Sequence, residues 1–376
     1  GKIRMSDIIV ELDAFIIADD HRVFKCSPGK TYRFYNQVRN AKAVFLDIRG
    51  LEDIPYKEED WNEDKILEII ADDRWSRELE SRARGNQHVG TEGVGRGDKT
   101  RLGFLKALLF EAKRGDLIVV PAEGYDKDVL IGELIDDAGD FQQISATDDE
   151  TEYVYLGRRV KWRSASPKRL LSEEMIRALH TQTAFFQLKR SFHEEIYKLA
   201  YRNFIFRGDY VSEFRTSKLR FTAEDHAVVS TWLNGFDVLR NSVEMTNPTN
   251  DVKPSFFELG LQELDDSLAA EVQIDIQSPG EVFVKSFGPF ALALMAFFPL
   301  AGCDSQAVVD QGVTVKLKTV GGGISSHTEV QECVNSMAIA LGHERLDQSS
   351  QLCDRAIRDA KMTTQAVLKS GHKESK

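Results

Sequence analysis

The densest run of chemistry-bearing residues is Arg158-Arg159-Val160-Lys161-Trp162-Arg163, inside a stretch, 155–170, that holds six Arg or Lys and no Asp or Glu. Side chains alternate along a strand, so Arg159, Lys161 and Arg163 share one face and Val160 and Trp162 the other, with Arg158 near the turn. On a chain of formal net charge −11 such a face fits a polyanion site, because affinity for phosphates follows the local field rather than the total charge. The plain alternative is a solvated outer face with Trp162 in the core. A second cationic set, Arg96, Lys99 and Arg101, closes a Gly-rich polar piece, 84–100, and suits either a loop that closes over nucleic acid or a flexible connection. It does not suit a nucleotide-hydrolysing loop: Asp98 precedes Lys99-Thr100 where a glycine is needed, and no apolar strand leads into the glycines.

Hydrolytic chemistry has weaker support. The best group for a divalent-metal nuclease is Asp275 with Glu281 and Lys285 on a hairpin turning at Ser278-Pro279-Gly280. Glu281 and Lys285 share a strand face but stand about 13 Å apart at ~3.3 Å per residue, too far for one phosphate. Mg²⁺ or Mn²⁺ would be needed only in that case; no cofactor is otherwise expected. His193 is followed by Glu194 and Glu195 without a second His at i+4, and Ser325-Ser326-His327 lacks the strand-turn-helix elbow of a serine nucleophile. No His or Cys pair has metal-ligand spacing, so no metal site is expected. The four cysteines, at 26, 303, 333 and 353, predict reduced thiols and a cytoplasmic location.

The elements that must position the basic run are two β-rich segments, LIVV at 117–120 and VLIGEL at 129–134, joined by a Pro-, Gly- and Asp-rich turn, and a third, YVYL, at 153–156. Before them, three short β-rich segments fill the first 50 residues. Trp61, Ile66, Ile69, Ile70 and Trp75 then recur at helical spacing behind an acidic start. After them, helices are predicted to about Phe206 and over 222–240. Between Lys189 and Arg220, eight Lys or Arg stand against four acids, with Tyr197, Tyr201, Phe204 and Tyr210 interleaved. That mixture can track a nucleic-acid strand, though an aromatic stripe is more often core.

The order Arg114-Gly-Asp-Leu-Ile-Val-Val-Pro121, Val129-Leu-Ile-Gly-Glu133, Arg158-Arg-Val-Lys-Trp162, then Thr183-Ala-Phe-Phe186, resembles the PUA-like/EVE-like domains of prokaryotic modification-dependent restriction and defence proteins, over about residues 95–190. The resemblance implies a small β-barrel that reads DNA or RNA, in several relatives holding a flipped or modified base against an aromatic residue. It places Trp162 and the turn near Tyr125 in such a pocket, and the chain in an antiviral system as a sensor whose enzymatic activity a partner protein supplies.

The resulting expectation is an α+β chain: a β-rich PUA-like barrel domain over 1–165, a helical segment over 166–245, a linker at 245–254, an α+β oligomerisation or effector domain over 255–365, and a disordered tail over 366–376. The apolar run 290–302 is shorter than the roughly 17–25 residues a bilayer needs and contains Pro299, so stable membrane insertion is not expected. Its density in a small domain predicts a homo-oligomer in which a second subunit covers part of it. A nuclease centred on Asp275, and an oligomeric or membrane-active effector using 290–302, are the alternative functions.

Overall fold

In the computed structural model, the structure describes residues 8–83, 85, 92–124, 126–148, 150–244, 254–262, 269–275, 280–320 and 323–370. The chain divides into two compact units, 20–200 and 1–19 with 201–376. The first strand, β1 (Ile8–Ile16), belongs to the second of these.

The 20–200 unit contains, in order, β2 (Val23–Cys26), α1 (Tyr35–Ala41), β3 (Ala43–Phe45), α2 (Glu63–Ala83), α3 (Arg96–Lys106), β4 (Leu117–Val120), β5 (Asp128–Leu134), β6 (Gln142–Asp148), β7 (Thr151–Pro167), α4 (Glu173–Leu179), β8 (Phe185–Gln187) and α5 (His193–Ala200). Its strands are ordered β3-β7-β5-β4-β2-β8, with β6 also on β7. Both faces of this sheet are covered, which is why β4 reads as an unbroken apolar run. On one side Ile118, Val120, Leu130 and Leu134 join α1, α2 and α3 through Val38, Ile70 and Leu105. On the other, α5 packs on β5 and β7.

The expected closed barrel does not form; the sheet is half-open and curled. Closure needs a ladder between the terminal strands. Here β8 is three residues long and pairs with β2, β3 is three residues long and pairs with β7, and among the described residues no ladder joins β8 to β3 or β6. The 17-residue β7 supplies the curl, pairing first with β6 and β3 and then with β5 across a bulge.

The second unit adds β9 (Phe204–Phe206), β10 (Asp209–Thr216), α6 (Ala223–Glu244), α7 (Phe256–Gly260), β11 (Glu271–Asp275), β12 (Gly280–Phe287), α8 (Phe290–Leu300), α9 (Ser305–Gln311), β13 (Val313–Thr319), β14 (Ile324–Ser326), α10 (Thr328–Arg358), β15 (Met362–Thr363) and β16 (Ala366–Ser370). β1 lies parallel to β13 and β9 and antiparallel to β16, so residues 366–370, predicted as tail, form a strand opposite Leu12–Ile8. The linker predicted at 245–254 lies outside the described residues except for Pro254.

α8 corrects the reasoning that led to an oligomer. A helix apolar all round must be buried all round. Leu292, Leu294 and Met295 are fully buried within this chain's own core, against β1, β10 and β12 below and α10 and α6 above. The run therefore requires no second subunit. Among the described residues no helix is long and apolar enough to cross a membrane.

Candidate functional site

β2 ends at Cys26, and the chain turns through Ser27-Pro28-Gly29 into a segment of unusual backbone. Gly29, Thr31 and Tyr32 have φ of 78°, 55° and 59°. Glycine is required at 29: its φ is positive, and a Cβ there would stand 2.6 Å from the Phe34 ring. Thr31 and Tyr32 enjoy no such freedom, and left-handed non-glycine residues cost on the order of 1–3 kcal/mol each. The following anchor meets that cost: Phe34 is fully buried, packs on Phe45 and Tyr155, and donates its N–H to Pro28 O at 2.9 Å. Held this way, Tyr32 projects over a cleft.

The cleft has a volume of about 570 Å³, and Tyr32, Phe104, Asp47, Arg101, His180 and Gln182 are among its lining residues. An ion network fixes the polar part of its wall. Asp47 is bonded by Arg33 at 2.6 Å and lies 2.7 Å from Arg77; Asp73 accepts from Arg77 at 2.8 Å and from Arg101 at 3.0 Å. Asp148 ties Arg33 and Arg49 into the same set. Arg101 also donates to the Asp47 carbonyl at 2.8 Å, so β3's continuation and α3 are joined at the cleft.

Two buried lysines hold the other wall. Lys25 donates to Thr181 O at 3.0 Å and Thr183 O at 2.5 Å, pinning the loop that carries Gln182; burial pushes its ammonium down to about 8. Lys168, 1 % exposed, donates to Ala122 O and, at 2.5 Å, to Gly124 O, and its Nζ stands 3.5 Å from His180 Nε2. Burial also lowers Lys168, against Asp126 and Glu123, which favour its charge. On the far side of the imidazole, His180 Nδ1 is 3.1 Å from the Tyr32 hydroxyl. Burial, then the charges of Lys168 and Lys25, hold His180 below its ordinary value, so the ring is neutral near pH 7.

The residues expected from the sequence are placed differently. Arg158 is 0 % exposed and cannot meet a polyanion: α3 continues as a wide turn over Ala107–Glu111, and Arg158 donates to Leu108 O at 3.1 Å, to Ala112 O and to Asp136 O. Arg159 bonds Asp136 at 2.9 Å through Nε while its side chain remains 56 % exposed. Arg163 bonds Glu133 at 2.6 Å and is only 15 % exposed. The strict alternation breaks there, because Ile131 pairs with Ser164 and Gly132 with Trp162, leaving Arg163 as the extra residue of the bulge. Trp162 lies over Gly132, where a Cβ would be 2.7 Å from its ring, and donates Nε1–H to Arg39 O at 3.0 Å; it is sheet packing and does not line the cleft. Tyr125 lies outside the described residues.

Lys161 is exposed and, among the described residues, has no ion-pair partner. Arg96 and Lys99 are exposed on the first turns of α3, ahead of the cleft residues Arg101 and Phe104 on the same helix. Asp98, buried on the same turn, accepts from Gly95 N at 2.8 Å and from Arg74 at 3.0 Å, so it is a helix cap and not a phosphate ligand.

In the second unit, Glu281 stands 3.3 Å from Arg202 and 3.8 Å from Arg215, and Lys285 lies 3.2 Å from Asp209. The backbone of Asp275 pairs with Glu281, but its side chain lies outside those described. Among the described residues no group of three His, Cys, Asp or Glu is arranged to hold a metal. His327 caps α10 by accepting from Val330 N, and His193 bonds the Tyr197 hydroxyl at 3.2 Å.

Sequence reasoning missed the cleft itself, whose residues come from four separated stretches. Of the described site residues named from the sequence, Arg101 alone lines it, and the other local signal was the Ser27-Pro28-Gly29 turn. No protein-family model, curated protein or solved structure significantly matches this chain.

Proposed function

We propose that the 20–200 unit binds nucleic acid and takes one unstacked base into the cleft beside Tyr32 and Phe104. The observation that carries the reading is the cleft's combination of aromatic surface with convergent polar groups, in a volume of about 570 Å³. Ligand sites of roughly 300–1,000 Å³ have this composition, and an extruded base is read by stacking and by hydrogen bonds along its edge. The strained backbone at Thr31 and Tyr32 supports it, since such strain collects where a side chain must be aimed. Exposed Lys30 on the cleft lining, with exposed Arg96 and Lys99 on the first turns of α3, supply phosphate contacts. In this reading the chain is a recognition component, and its place as the sensor of a defence system follows from the resemblance over residues 95–190.

The test is fluorescence anisotropy of the full chain with plain and base-modified duplexes and with single-stranded DNA and RNA. Single-stranded or modified forms bind more tightly than plain duplex, because less unpairing is required. Tyr32→Ala and Phe104→Ala each weaken binding about tenfold or more, as loss of stacking worth ~1–3 kcal/mol implies. Lys99→Glu lowers affinity for every sequence and flattens its salt dependence. Equal, undetectable binding of all forms at low salt refutes the reading.

A further inference from the structure

The cleft contains a hydrogen-bond chain whose direction is set from its buried end. Lys168 has three N–H donors and no acceptor. Two donors are used on Ala122 O and Gly124 O, and the third faces His180 Nε2 at 3.5 Å. Nε2 must therefore accept, which leaves the single proton of the neutral ring on Nδ1. Nδ1–H then donates to the Tyr32 oxygen, 3.1 Å away. With that lone pair occupied, the Tyr32 O–H is released toward the cleft that the residue lines. The opposite tautomer would set an N–H of the ring against the ammonium and leave the Tyr32 hydroxyl turned inward.

We infer that Lys168, acting through His180, makes the Tyr32 hydroxyl an obligatory donor, so that the cleft selects a base presenting a carbonyl oxygen over one presenting an amino group. This rests on the base-binding reading of the same cleft. Lys168 and His180 are positioning residues and Tyr32 is the contact. A site built to donate discriminates strongly, because a ligand amino group facing it leaves two donors opposed. Other charged groups near these residues do not reverse it: Asp126 and Glu123 favour the ammonium of Lys168 and Lys127 alone opposes it, while Lys25 adds to the positive charge that disfavours protonation of the imidazole.

Two measurements on the full chain test it. In ¹⁵N-histidine-labelled protein at pH 7.5, long-range ¹H–¹⁵N correlations, assigned with His180→Asn, show His180 neutral and protonated on Nδ1. Anisotropy then compares oligodeoxythymidine with oligodeoxycytidine, each of about 12 nucleotides. The wild type prefers the thymidine oligomer. Tyr32→Phe and Lys168→Met each reduce its affinity about 5–10-fold and abolish the preference, the double variant loses no more than either single one, and Lys168→Arg retains part of it. A His180 ring protonated on Nε2 overturns the chain whatever the variants do. Additive losses, or a preference that survives Tyr32→Phe, overturn it while binding by the wild type leaves the base-binding reading standing. No binding of either oligomer by the wild type overturns both.

Discussion

Replacing Arg158 by Met separates the two roles that the basic strand offers. A surface phosphate contact would lose affinity and keep stability; the buried guanidinium described above would do the reverse. Arg158 makes three hydrogen bonds to backbone carbonyls, two of them in the wide turn after α3 that cannot bond its own carbonyls in the ordinary helical register. Bonds from a charged donor contribute ~1.5–3 kcal/mol each, so about 5–9 kcal/mol of interaction disappears. The variant is also spared several kcal/mol of desolvation, since burial disfavours the Arg158 charge enough to lower its affinity for its proton. The net expectation is a loss of about 2–5 kcal/mol. For a unit of this size 1 kcal/mol moves the midpoint by ~2–4 °C, which gives a fall of about 4–20 °C. Urea and thermal unfolding followed by fluorescence report it, because Trp61, Trp75 and Trp162 lie in the 20–200 unit and only Trp232 in the other. Lys161→Glu, at an exposed position, stays within ~0.5 kcal/mol of wild type. An Arg158→Met protein as stable as wild type but deficient in oligonucleotide binding would refute the reasoning.

Two further outcomes follow from buried groups. Lys25 has its folded-state value depressed from 10.5 to about 8, so between these pH values the unfolded chain binds more protons and stability rises with pH; Cys26, pushed from 9.0 up to about 12, opposes this only above pH 9. Urea midpoints should therefore rise from pH 8 to 9 in wild type and less in Lys25→Met, and equal slopes would show that Lys25 is not desolvated. Leu294→Ala, at a fully buried position of α8, should cost about 2–5 kcal/mol, with a midpoint independent of protein concentration over a hundredfold range; concentration dependence would return α8 to an intersubunit role.

How much of this was legible in the sequence depends on how far apart the interacting residues lie. Local pattern located β4, β5 and β7, the amphipathic α2 and the wholly apolar α8, because each is defined by a period within one segment. It could not show that β1 crosses to β13 and β16, partners at the far end of the chain, because an apolar strand carries no mark of its neighbour. Nor could it show that the sheet stays open, which depends on β3 and β8 each being three residues long and on which strands they pair with.

The basic strand shows the same limit at the level of single side chains. Arg158, Arg159, Lys161 and Arg163 are equivalent as letters, yet carbonyls of a turn some 50 residues earlier claim the first, Asp136 the second and Glu133 the fourth, leaving Lys161 alone exposed without a partner among the described residues. The cation count therefore overstated the field available to a polyanion. The cleft is the converse case: Tyr32, Asp47 and His180 are ordinary residues in ordinary stretches, and the left-handed turn at 29–32, the ion network around Asp47 and Arg101 and the two buried lysines bring them to one place. Lys25 sits among apolar neighbours in Val-Phe-Lys-Cys and Lys168 beside another cation in Pro-Lys-Arg-Leu, and a solvated end is the usual reading of a lysine in either. Their burial gives each ammonium fixed backbone acceptors, those of Lys25 on the loop that lines the cleft, and that constraint aims a neutral histidine and a tyrosine hydroxyl at whatever the cleft receives.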